Sequence, residues 1–134
     1  MSSIPSPLDL PFQRLRQFRT ALLHLHKALL ESERVTYEKQ HGRIQSKGEF
    51  FRLVVGDEWF SWLRPYSKFI VKIDETLDSK EPVTLDEVNR LLEEASFLLR
   101  ADETGSDREK RYYQAIQRDP NIALMHAQAA QLLD

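Results

Sequence analysis

The sequence has no cysteine. Disulfide bridges and thiolate metal sites are therefore excluded, and a reducing, cytoplasmic setting is expected. Turn formers are sparse, with four glycines and six prolines among 134 residues. A protein of many short strands needs more tight turns than that, which argues against an all-β fold. No run of about 18 apolar residues occurs, so no membrane-spanning helix is expected. The opening M-S-S-I-P-S-P-L-D-L-P has neither a basic start nor an apolar core, so it is not read as a signal peptide. A large charge of one sign is also missing. The net charge is −2 with 30% charged residues. Strong nucleic-acid binders carry a clear basic excess, so no nucleic-acid partner is expected.

Chemistry-bearing motifs are missing as well. There is no phosphate-binding glycine loop and no serine in a strand-turn-helix elbow. A di-iron carboxylate bundle needs two Glu-x-x-His pairs and two further glutamates. This chain spells only one pair, Glu38-Lys39-Gln40-His41, at a helix end. His24 and His26 diverge on a helix, and His126 stands alone. No catalytic residue, metal or cofactor is expected, and the protein is read as a non-enzyme.

What the sequence does contain is helical periodicity. The stretch Asp57 to Leu77 holds both tryptophans, and Trp59, Trp62, Leu63, Tyr66, Phe69, Ile70, Ile73 and Leu77 recur at steps of three and four. That spacing is one stripe of a helix. Pro65 lies inside this central helix, removes the bond to the Ser61 carbonyl, and predicts a kink. Upstream, Leu15, Phe18, Leu22, Leu25 and Leu29 predict a long helix over 11–40, ended by Gly42. Asp9 is its expected cap, and residues 1–10 are read as a flexible tail.

Ser46-Lys47-Gly48-Glu49, Thr84-Leu85-Asp86-Glu87 and Ser106-Asp107-Arg108-Glu109 are capping-box spellings. They open expected helices over 47–55, 85–100 and 107–118. Asp119-Pro120 opens a last one over 120–133. Agreement between caps, stripes and propensity predicts an all-α fold. Its expected form is an antiparallel bundle of four main helices, with a short extra helix before the central one and a C-terminal helix. Residues 11–134 form the expected single domain.

Charge is uneven along the chain. Arg14, Arg16, Arg19 and Lys27 meet no acid between Pro11 and Leu30, whereas residues 74–103 carry ten acids against three bases. The two segments are expected to neutralise each other across the bundle.

Three polar residues call for an explanation. Arg19, His26 and Glu33 repeat every seventh position on the apolar side of the first helix. Buried polar groups are costly without partners, so the row is either a ligand-binding line inside the bundle or a margin that meets acids or water. The aromatics Trp59, Trp62, Tyr66 and Phe69 are read as core. Phe60 and Val71 lie eleven residues apart, off the main stripe, and are read as a second packed face or a subunit interface.

Two resemblances accompany these residues. Ala115-Ile116-Gln117-Arg118-Asp119-Pro120-Asn121-Ile122-Ala123, continuing to Ala130 and Leu133, is similar to the junction between successive tetratricopeptide repeats. No second copy stands upstream at the period of about 34 residues that such arrays require. The same spelling follows from a helix stop and a proline start, so no repeat array is inferred. The stretches L-H-L-H-K-A-L-L-E-S-E-R-V-T-Y-E and D-E-W-F-S-W-L-R-P-Y-S-K-F-I-V-K-I-D-E resemble a group of small bacterial all-helical proteins without assigned function. The expected role is a soluble protein acting through protein contacts as a homodimer. The alternative is a small-molecule binding module using the aromatic cluster and the Arg19, His26, Glu33 row.

Overall fold

The computed structural model describes residues 9–134, and all regular structure among them is helical. Helix α1 spans Asp9–His41. At 1.5 Å per residue it is about 50 Å long. It begins earlier than the periodicity implied: Asp9, read as the cap, and Leu10 are already helical. The remainder of the expected tail, residues 1–8, lies outside the described residues. The stripe Leu15, Phe18, Leu22, Leu25 and Leu29 is fully buried. Gly42 ends the helix at φ +86°, and its N–H donates to the Glu38 carbonyl at 3.0 Å. A side chain at that position would meet the left-handed penalty that glycine avoids.

Helix α2 spans Lys47–Gly56. Its start is fixed by Ser46, whose hydroxyl accepts the Glu49 N–H at 3.1 Å. The central segment departs from expectation. It is not one kinked helix but two elements, a 3-10 helix over Glu58–Leu63 and α3 over Arg64–Leu77. Pro65 stands in the first turn of α3, where its missing N–H leaves no gap. The Ser61 carbonyl, deprived of its usual partner, accepts the Arg64 N–H three residues on instead. That bond, three residues apart, is the tighter pattern of a 3-10 turn.

This local change corrects the pairing of Phe60 with Val71. A 3-10 turn rotates the chain about 120° per residue instead of about 100°, so counting across Glu58–Leu63 as an α-helix accumulates an error. Phe60 is fully buried, with ring centroids 5.6 Å from Tyr37 and 5.7 Å from Phe50. Val71 is exposed. The two residues do not form one exterior face.

Helices α4 (Leu85–Leu98), α5 (Asp107–Arg118) and α6 (Pro120–Gln131) start where their caps stand. Thr84 accepts the Glu87 N–H, Ser106 and Glu109 complete a reciprocal capping box, and Asp119 accepts from Asn121. The organising element is α1 rather than the aromatic stretch. It packs against α3, α4, α6 and the 3-10 helix, while α5 packs on α6 and the 3-10 helix. The segment 58–77 still supplies much of the filling. Phe60, Trp62, Leu63, Tyr66, Phe69, Ile70 and Ile73 are all buried. Helix α2 packs on the 3-10 helix and contributes no buried residue of its own.

Candidate functional site

The heptad row on α1 does not converge on one place. Arg19 forms a bidentate pair with Asp74 of α3, Nε to Oδ1 at 2.6 Å and Nη2 to Oδ2 at 3.1 Å. This joins the basic start of α1 to the acidic segment, as the charge distribution implied. Glu33, two heptads on, is the one buried charged residue among the described residues, at 3% exposure. It accepts Arg118 Nη2 at 3.0 Å, and Arg111 Nη2 lies 3.9 Å away. His26 is half-buried between them, and burial pushes its imidazole below the ordinary histidine range. Neighbours in the row are about 10 Å apart along the helix, and each turns to a different element. Arg19 and Glu33 therefore work as joints between helices, while His26 faces a groove beside α2 and α3 that neither of them lines.

The arginines of α5 are what the sequence reading missed. Arg108, Arg111 and Arg118 lie on the same side of α5 as buried Tyr112 and Ala115, a pattern legible in their spacing. Arg111 donates to the Trp59 carbonyl at 2.9 Å and stacks 5.4 Å from the Trp59 ring centroid. Arg118 adds a bond to the Ser32 hydroxyl at 3.0 Å. Arg108 donates to the Leu98 carbonyl at 2.9 Å and the Phe97 carbonyl at 3.0 Å, capping the end of α4 where the helix dipole favours a cation.

Arg108 also donates to the Tyr66 hydroxyl at 2.9 Å. Burial raises the Tyr66 phenol to about 12, against the opposing pull of Arg108. Tyr112 lies beside it, its ring centroid 5.7 Å away, and burial pushes its phenol up further. Burial lowers the His126 imidazole, whose Nδ1 shares a hydrogen bond of 2.6 Å with the Tyr112 hydroxyl. Every group in this network is held in its neutral form or paired within the chain. Its chemistry is cohesive, and no nucleophile is paired with a base at an open site.

The surface feature that internal packing leaves unexplained is α2. Its apolar residues Leu53, Phe50, Val54, Phe51 and Val55 sweep roughly 200° of the helix circumference at about 100° per residue. Only the half toward the 3-10 helix is covered. Phe51 and Val55 remain 68% and 58% exposed. Beside them lies a groove of about 270 Å³ over Val54 and Val55, with buried Phe60 and Leu63 beneath. Its other wall carries Arg64 and Lys68 of α3, and His26 of α1 closes it. Val71, one turn beyond Lys68, continues the Arg64–Lys68 side of α3 at the surface.

Among the described residues no group of three or more His, Asp or Glu side chains is placed to hold a metal ion, and no helix is long and apolar enough to cross a membrane. Comparison with protein-family models, with curated proteins and with solved structures finds no match.

Proposed function

We propose that this protein acts through protein–protein contacts, and that the contact surface is α2 with the adjoining groove. The observation that carries the reading is a ten-residue helix with no buried residue and two large apolar side chains, Phe51 and Val55, held outward one turn apart. Exposed apolar side chains gathered beside an apolar groove are the usual mark of a docking surface. The reading takes the helices as an antiparallel bundle organised on α1, working as a non-enzyme in the cytoplasm. A homodimer through Phe60 and Val71 loses half its basis, because Phe60 is enclosed by Tyr37 and Phe50. The proposed contact moves to α2, where a second copy or another protein would bind.

Site-specific photocrosslinking in the living host tests the reading. A photo-reactive phenylalanine analogue is placed at Phe51, at Val55, or at Gln128, which is exposed on the remote helix α6. Discrete adducts at the first two positions and none at Gln128 are expected. Adducts containing only this chain at twice its mass would identify a second copy. No adduct at Phe51 or Val55 would refute the reading.

A further inference from the structure

The charge around the groove selects the kind of partner. Resting on the docking reading above, we propose that the groove binds an acidic amphipathic segment of another protein, with an apolar anchor entering between α2 and α3 and carboxylates meeting Arg64 and Lys68.

The groove combines an apolar floor with a one-signed rim. Val54 and Val55 supply the accessible apolar surface over buried Phe60 and Leu63, the polar lining is His26, Arg64, Ser67 and Lys68, and no carboxylate lines it. Among the described residues no carboxylate compensates that charge. Three other cross-helix cations find acids, Arg19 with Asp74, Lys72 with Glu94 and Arg118 with Glu33. Among the described residues neither Arg64 nor Lys68 has a carboxylate within ion-pair distance. Arg64 places Nη2 on the Asp57 carbonyl at 2.9 Å, and its Nε is buried with no acceptor. The guanidinium thus meets only a neutral carbonyl, and a carboxylate reaching its edge from the groove would form a stronger, charge-assisted bond.

The same charges disfavour self-association through this face. An isologous contact would put the same basic patch, Arg64, Lys68 and exposed Arg52, on both sides of the interface, and like charges brought close repel. A lipid surface is a poorer fit than a peptide. The groove is concave and of a size for one or two side chains, which calls for an anchor held on a rigid segment.

The test is a methyl and imidazole NMR titration of the full chain with three synthetic helical peptides. All carry the same leucine anchors at i and i+4, and the remaining positions are glutamate, glutamine or lysine. The glutamate peptide is expected to shift Val54, Val55, Leu63 and His26, and to bind about tenfold more tightly than the glutamine peptide at low salt. That preference should fade as added salt screens the exposed rim. Lys68→Glu, an exposed position whose replacement leaves the core intact, is expected to weaken the glutamate peptide and favour the lysine peptide.

Equal binding of all three peptides at the groove would overturn the acidic partner while leaving the docking reading in place. Silence of the groove toward every peptide, with crosslinks still formed at Phe51, would have the same meaning. Groove shifts produced only by phosphatidylglycerol vesicles would assign the face to membrane. A dimer by light scattering that Phe51→Ser dissociates would assign it to a second copy. Either result overturns the proposal.

Discussion

Replacing Glu33 probes the joint between α1 and α5, and the local geometry sets the expected order of effects. The carboxylate is 3% exposed and sits between Arg118 at 3.0 Å and Arg111 at 3.9 Å. Breaking a buried ion pair from one side costs about 3 to 5 kcal/mol when the abandoned charge stays buried. Here the abandoned charges would be arginines whose side chains are 35% and 28% exposed, and both can turn toward water. Glu33→Ala and Glu33→Leu should therefore fall near or below the lower limit, at about 2 to 3 kcal/mol. Glu33→Gln keeps an acceptor for Arg118 and should cost about 1 kcal/mol, near the net value of one hydrogen bond.

The reverse deletion is harsher. Arg111→Ala with Arg118→Ala strands the carboxylate in the interior and should cost more than Glu33→Ala. Urea denaturation measures all of these. With a slope of about 1 to 3 kcal/mol/M, a loss of about 2.5 kcal/mol moves the midpoint by about 1 to 2.5 M. If every Glu33 variant stays within about 0.5 kcal/mol of the parent, as ordinary surface changes do, the joint is solvated in solution and the reasoning fails.

Trp62 is nearly buried and stacks edge-on to Tyr66 at 6.1 Å, so Trp62→Ala should cost about 3 to 5 kcal/mol by denaturant titration. Its indole Nε1 is buried without an acceptor, so Trp62→Phe removes an unsatisfied donor and should cost far less than the alanine change; equal costs would contradict this. Pro65→Ala should destabilise by only about 0.4 to 1 kcal/mol, through the freedom gained by the unfolded chain, because no helix bond is missing at a first-turn proline. Thermal melting that showed a clear gain would restore the uninterrupted central helix. Burial depresses the folded-state titration of both His26 and His126 below the unfolded value near 6.5. Their stabilising contribution is therefore complete above about pH 6.5 and is lost as pH falls through the lowered folded values. Stability measured from about pH 7.5 to about pH 5 should decline on the acid side, and His26→Gln with His126→Gln should flatten that decline. A decline unchanged in the double variant would show that other groups cause it.

The sequence by itself determined the helices and most of their ends. Caps act within one turn, as Ser46 on Glu49, Ser106 on Glu109 and Asp119 on Asn121 show, so their signals are local and legible. The stripe from Leu15 to Leu29 was equally legible, because burial along α1 repeats with the helix period. Tertiary structure decided which helix became the axis, where Phe60 went, and what each polar residue of the α1 row would meet. Glu33 finds Arg118 across 85 residues of chain and Arg19 finds Asp74 across 55, and no local periodicity encodes such pairings. The winding at Glu58–Leu63 was hidden for a related reason. Proline announces that an α-helical bond is missing, but the choice between a kink and a 3-10 turn depends on the packing against Tyr37 and Phe50 that draws Phe60 inward. The groove beside α2 likewise exists only once α2, the 3-10 helix and α3 fold against one another and His26 of α1, the one lining residue distant in the chain, closes it.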